Sequence, residues 1–133
     1  MKILIVDDVL ENRVYMYSLL SPLGLCDMAT NGVEAVEWVE AALESEEPYE
    51  LILLDVMMPK MDGQTALQAI RAKEQEHGRV GVKESVILMV TADNSPETVT
   101  RAFFAGYCTD FLAKPITRQV LMNKLREYHL ITD

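Results

Sequence analysis

Three short apolar runs, Ile3-Leu4-Ile5-Val6, Leu51-Ile52-Leu53-Leu54 and Val86-Ile87-Leu88-Met89-Val90, restrict the fold more than any other feature of the chain. None of them alternates with polar residues, so each reads as a strand covered on both faces, as in a parallel sheet sandwiched between helices. Two weaker runs, Leu25 to Ala29 and Thr109 to Leu112, bring the predicted strands to five, and a stretch with helical spacing follows each. After Thr30-Asn31-Gly32, the apolar positions Val36, Val39 and Leu43 recur at three and four residues, placing one stripe against the sheet, with Asn31 or Thr30 as N-cap. The last helix is predicted from Ile116, behind Pro115, with Val120, Leu121, Leu125 and Tyr128 on its inner stripe. Strands alternating with helices predict a doubly wound α/β domain of three layers, with right-handed crossovers and the five-strand order 2-1-3-4-5. The polar stretch from Lys73 to Ser85 reads as a helix end and a longer loop within one domain spanning residues 1–133.

Composition narrows the function classes. The chain carries a net charge of -9, and its basic residues are scattered rather than gathered into a stripe, which argues against nucleic acid or an anionic membrane as a partner. A cation or another protein fits better. The apolar runs are too short to span a bilayer, and Met1 leads straight into a strand without a charged leader, so the expected location is the cytoplasm. Cys26 and Cys108 form no Cys-x-x-Cys pair and are expected as reduced, buried thiols.

Ligands of an open parallel sheet bind beyond the carboxyl ends of its strands, where the strand order reverses. Asp7 and Asp8 follow the first strand, Asp55 follows the third, and these two strands are neighbours in the predicted order. At about 4 Å, two such charges repel by roughly 1 kcal/mol in water and about 4 kcal/mol at an effective dielectric near 20, so the cluster calls for a proton or a cation. Carboxylate oxygens with room for water suit magnesium, which commonly bridges protein acids to phosphate. The plainer reading, that each Asp caps the helix behind it, accounts for one of them better than for three together. Thr91 directly follows the fourth strand and could donate its hydroxyl to a phosphoryl oxygen, although a lone Thr is usually a turn or cap residue. Lys114 follows the fifth strand and could pair with Asp55 or with a phosphate placed there. An Asp nucleophile, a divalent ion and two donors suffice for phosphoryl transfer, which requires mostly positioning and charge neutralisation.

The paired acids Asp7-Asp8, Asp55 followed by Met58-Pro59-Lys60-Met61-Asp62-Gly63, then Thr91-Ala92 and Lys114-Pro115, resemble the response regulator receiver family. Thr30-Asn31-Gly32 with Glu34-Ala35, and Gly106 before the fifth strand, belong to the same likeness, which covers essentially the whole chain. The resemblance implies a CheY-like, flavodoxin-like fold and a phospho-accepting switch rather than an enzyme. It assigns Asp55 as phosphoacceptor and Asp8, Asp55 and the Met57 backbone carbonyl as direct magnesium ligands, with Asp7 acting through a bound water and manganese as a substitute metal. It places Lys114 against the phosphoryl group, ahead of a cis bond to Pro115, and makes Thr91 and Phe111 the switch pair. Many relatives carry Tyr where this chain has Phe111, so one hydroxyl is missing from the active surface; plain core packing is the alternative role. Ala92 leaves the site open, while Met57 and Asp93 occupy the positions that tune dephosphorylation. The implied partners are a histidine kinase or histidine phosphotransfer protein as donor, and a target read out by the fourth helix, fifth strand and fifth helix, where Ala102, Phe103 and Phe104 could contribute. Self-association through the fourth and fifth helices is a further option.

Two rival classes fit less well. Phosphatases of the haloacid dehalogenase type carry a second Asp two positions after the nucleophile, where this chain has Met57. A flavodoxin-like cofactor carrier would use a Gly-rich phosphate loop, and neither standard type is present. Few residues follow the last helix, so an output domain is not expected in this chain. Glu11-Asn12-Arg13 slightly resembles receivers attached to hybrid histidine kinases, which makes a phosphorelay segment the alternative. His77 and His129 lie away from the strand ends and read as surface residues.

Overall fold

The computed structural model describes residues 1–56, 58, 60–92 and 108–132. The positions Met57, Asp93, Ala102, Phe103, Phe104 and Gly106, and with them the predicted fourth helix, lie outside the described residues. The elements run β1 (Lys2–Val6), α1 (Leu10–Leu20), β2 (Leu25–Ala29), α2 (Gly32–Glu44), β3 (Leu51–Asp55), α3 (Gly63–Glu76), β4 (Val86–Thr91), β5 (Asp110–Ala113) and α4 (Arg118–Glu127), the last being the helix predicted as the fifth. Short 3-10 turns occupy Ser21–Leu23 and Gly81–Lys83, so the Lys73–Ser85 stretch is a helix end and a loop, as its composition implied. All strands pair in parallel in the order β2-β1-β3-β4-β5.

The pleat divides the core into two layers, because successive side chains of a strand leave opposite faces. Leu4, Val6, Ile52, Leu54, Ile87 and Met89 meet Val39 and Leu43 of α2 and Leu67 and Ile70 of α3. Ile3, Ile5, Leu51, Leu53, Leu88, Val90 and Leu112 meet Met16, Leu19 and Leu20 of α1 and Leu121 and Leu125 of α4 on the other face. Both faces of β1, β3 and β4 are thus dry, and this is why their sequences never alternate.

Four details differ from the sequence reading. Asp55 and Thr91 are the last residues inside their strands, paired with Val90 and Ala113, rather than the first residues beyond them. The final helix starts at Arg118 because Thr117 takes the cap, its hydroxyl accepting from Val120 N at 3.2 Å, while Ile116 is buried in the core ahead of it. Val120 faces solvent, so the inner stripe of α4 is Leu121, Leu125 and the half-buried Tyr128. Cys108 is buried, but Cys26 is only half-buried because β2 is an edge strand with one neighbour. Burial pushes the Cys108 thiol up to about 11, with the nearby Asp110 adding to the effect, so it is a poor nucleophile.

Two polar clasps tie helix ends to the sheet, and periodicity carries no sign of either. Glu74, 1% exposed, accepts from Arg71 Nη1 at 2.7 Å and from Ser85 N at 2.7 Å, while Arg71 Nη1 also donates to Ser85 O at 2.9 Å. This holds the end of α3 against the start of β4, and each ion has hydrogen-bond partners as buried charges require. At the start of β5, Asp110 accepts from Lys124 Nζ at 2.5 Å and from the Tyr128 hydroxyl at 2.7 Å, tying α4 down.

Burial alone would push the Asp110 carboxyl up, but the hydrogen bonds from Lys124 and Tyr128 outweigh it and hold the group below its ordinary range. A carboxyl that titrates lower when folded stabilises fully above its unfolded pKa and loses that contribution as pH falls through the folded one. Denaturant midpoints followed from about pH 7 down to roughly pH 3 should therefore drop more steeply for wild type than for Asp110→Asn, which has no carboxylate there to protonate.

Candidate functional site

The register of the sheet assembles the acids. Val6, the last residue of β1, lies beside Leu54 and Ala29, so Asp7 and Asp8 emerge next to Asp55 at the carboxyl rim. Carboxylate oxygens of Asp7, Asp8 and Asp55 all lie within 4.8 Å of one another. Asp7 and Asp55 are buried, whereas Asp8 is exposed. From the other side, Lys114, immediately after β5, reaches Asp7 Oδ2 at 3.4 Å and Asp55 Oδ1 at 3.7 Å. Its own backbone N donates to Thr91 O at 2.8 Å, and the bond to Pro115 is cis. Thr91, buried at the end of β4, lies one strand from Asp55, and Ala92 beyond it is exposed. Phe111 is half-buried against the layer that contains α2 and α3, consistent with the packing role weighed for it.

The three acids are not equivalent. Asp7 is heavily engaged: Oδ1 accepts from Val9 N at 2.9 Å and more weakly from Asn12 Nδ2 at 3.5 Å, Oδ2 faces Lys114, and its backbone N donates to Ala29 O at 3.2 Å. Among the described residues, none donates to the Asp8 carboxylate. The capping role considered for these residues therefore holds only in part: Asp7 ties down the chain ahead of α1, whose N-cap is Val9, and Asp8 caps nothing. Among the described residues, the cation paired with these carboxylates is the Lys114 ammonium, so the acids outnumber it on a set of oxygen donors. That donor set fits a hard divalent cation such as magnesium, and the free oxygens of Asp8 are available to it.

Sequence reasoning missed three supports of the site. Asp62 caps α3, its side chain accepting from Thr65 N at 2.8 Å, and so ends the loop that leaves Asp55. Gly63 follows, with its N donating to Val56 O at 2.9 Å; a Cβ there would lie 2.2 Å from the Asp55 carbonyl oxygen, so only glycine allows α3 to start this close. Asp-Gly ahead of an apolar helical stripe was a legible start signal for this turn. The third support, Arg13, sits in the first turn of α1 with Nη1 donating to the Asp7 carbonyl at 2.8 Å. His77 and His129 are exposed and remote from this rim, as expected.

Residues 3–126 match the model of the response regulator receiver domain. Chemotaxis protein CheY1 of Helicobacter pylori is 34% identical over 127 residues, covering 94% of this chain and 94% of the relative. The chain spans only 4 to 17% of the length of other curated relatives, among them hybrid signal transduction histidine kinases of Dictyostelium discoideum. Among solved structures, the receiver domain of the Saccharomyces cerevisiae response regulator Ssk1, in complex with the histidine phosphotransfer protein Ypd1, superposes with a TM-score of 0.80 at 30% identity, covering 96% of this chain and 88% of that one. The receiver domain of the Arabidopsis thaliana histidine kinase CKI1, complexed with Mg2+ and BeF3-, gives a TM-score of 0.83 at 28% identity, covering 98% and 90%. No helix among the described residues is long and apolar enough to cross a membrane.

Crowding of like charges without a cation has a measurable consequence. In metal-free buffer Asp8→Asn should be more stable than wild type by about 1 kcal/mol, the water-screened end of the range for carboxylates about 4 Å apart. Adding magnesium should stabilise wild type and leave Asp8→Asn nearly unchanged in a thermal melt.

Proposed function

Because the chain belongs to the response regulator receiver domain family, we propose that it is a magnesium-dependent switch of two-component signalling in which Asp55 accepts a phosphoryl group. The observation that carries this reading is the meeting of Asp7, Asp8, Asp55 and Lys114 at one rim. An oxygen of Asp55 attacks the phosphorus of a phosphohistidine on the donor protein. The P–N bond breaks, its electron pair returns to the imidazole, and the ring nitrogen is left to be protonated from solvent. No general base is required, because a carboxylate is already the attacking form. Lys114 and the Thr91 hydroxyl are assigned to the phosphoryl oxygens, and small, exposed Ala92 leaves room for the donor.

Asp8, Asp55 and the Met57 carbonyl are assigned as direct ligands of Mg2+, with Mn2+ as a substitute and Asp7 acting through water. The bound ion neutralises charge between the acids and the incoming phosphoryl group. Met57 and Asp93 are assigned to control the lifetime of the phosphorylated state. To move a two-state equilibrium from 1:99 to 99:1, phosphorylation must favour the active form by about 5.5 kcal/mol. Thr91 and Phe111 are the proposed switch pair, reporting to a target at the surface of the predicted fourth helix, β5 and α4. The donor is a histidine kinase or phosphotransfer protein. Its docking beside the site is supported by the outer stripe of α1, where Leu10, Val14 and Tyr17 are 58%, 55% and 44% exposed.

A second reading, the receiver segment of a hybrid histidine kinase that passes phosphate to a phosphotransfer protein, is favoured by Glu11-Asn12-Arg13 and by the multidomain relatives. Both readings share one test. With magnesium and acetyl phosphate, intact mass should show a single phosphoryl adduct, stable in acid and labile in base, that Asp55→Asn lacks. Absence of the adduct in wild type, or its persistence in Asp55→Asn, would refute the assignment.

A further inference from the structure

Arg13 lies outside the acidic rim yet bonds to its backbone. We infer that Arg13 is a positioning residue: by holding the Asp7 carbonyl it fixes the Asp7–Asp8 peptide and so sets the affinity of the rim for a divalent cation. The inference rests on the metal-binding reading given above and adds to it a residue that neither touches the ion nor carries an acid.

Arg13 Nη1 donates to Asp7 O at 2.8 Å across six residues of sequence. That carbonyl belongs to the same planar peptide unit as Asp8 N, so its direction governs where the Asp8 side chain leaves the backbone. Asp7 is tied at its N, its O and both carboxylate oxygens, by Ala29, Arg13, Val9 with Asn12, and Lys114 respectively. Asp8 has no such ties, since among the described residues nothing donates to its carboxylate. Its aim therefore comes from the peptide that precedes it. Magnesium accepts little deviation from octahedral geometry at about 2.0–2.1 Å, so a carboxylate that wanders costs affinity. Removing a group that orients a ligand typically weakens metal binding by about 10- to 100-fold.

Electrostatics alone predicts the opposite sign. Arg13 is a cation close to a cation site, and deleting it should strengthen attraction for magnesium if its charge were all that mattered. The two signs make the experiment decisive.

Magnesium titrations followed by intrinsic fluorescence or calorimetry on wild type, Arg13→Ala, Arg13→Lys and Asp8→Asn separate the outcomes. Positioning predicts a dissociation constant raised about 10-fold in Arg13→Ala, with partial recovery in Arg13→Lys, whose ammonium can reach the same carbonyl. The rate of phosphorylation by acetyl phosphate should return to near the wild-type value at saturating magnesium. An unchanged or tighter dissociation constant in Arg13→Ala, with Asp8→Asn impaired, overturns the inference and leaves the proposed function standing. Wild type that binds no magnesium overturns both. If Arg13→Ala fails to fold by circular dichroism, Arg13→Met, which keeps the apolar stem but cannot donate, decides: affinity between wild type and Asp8→Asn supports positioning, and affinity equal to or above wild type refutes it.

Discussion

Mutual repulsion among three carboxylates held at the end of a rigid sheet is the constraint around which the rest of this structure is arranged. Asp7 and Asp55 are buried and Asp8 is exposed, and all have oxygens within 4.8 Å of each other. Unfolded, Asp55 would sit far from the adjacent pair Asp7-Asp8 in water; folded, it is brought to them against their charge. Parallel pairing of β1 with β3 enforces it, because the ladder that pairs Val6 with Leu54 is backed by dry apolar layers on both faces. The stability of the core thus maintains a site that is electrostatically unfavourable until a cation joins it, as in many sites where function and local stability conflict.

The surroundings of the rim divide the labour. Lys114 offsets part of the charge from one side. Val9, Asn12 and Arg13 grip Asp7 from the first turn of α1 and the residue ahead of it. Gly63 and the Asp62 cap let α3 begin against the Asp55 backbone. Among the described residues, none donates to the Asp8 carboxylate, and this asymmetry with Asp7 sets the cluster apart from a set of helix caps. At the opposite end of the sheet the Glu74–Arg71–Ser85 clasp plays a structural part, its buried ions bonded to each other and to the backbone of Ser85.

Much of this was legible in the order of residues. The three apolar runs placed β1, β3 and β4 to within a residue, and even the weak run Leu25–Ala29 matched β2 as drawn. Asn31 or Thr30 was expected to cap α2, and it is Asn31 that accepts from Glu34 N. Errors clustered at element ends. Ile116 and Val120 were read as helical stripe because both are apolar, yet the cap at Thr117 starts the helix later and turns Val120 outward. Cys26 was read as buried from cysteine usage alone, although the predicted order 2-1-3-4-5 already made its strand an edge. Arg71, Glu74 and Asp110 drew no reading from the sequence, since apart from the Arg71–Glu74 pair, three residues apart, these bonds span 11 to 38 residues and periodicity reports only local neighbours.

By itself the sequence determined the class of fold and the residue types of the site, because burial on both faces imposes an unbroken apolar run and a strand end exposes whatever residue comes next. Only the tertiary structure decided what each acid does. Asp7, Asp8 and Asp55 are chemically the same, and their difference in hydrogen bonding and exposure arises from which helix turn, lysine or backbone donor the fold brings beside each one. Arg13 belongs to that second category: nothing in its local sequence distinguishes it from a solvated arginine, and its role exists only once the end of β1 and the start of α1 face each other.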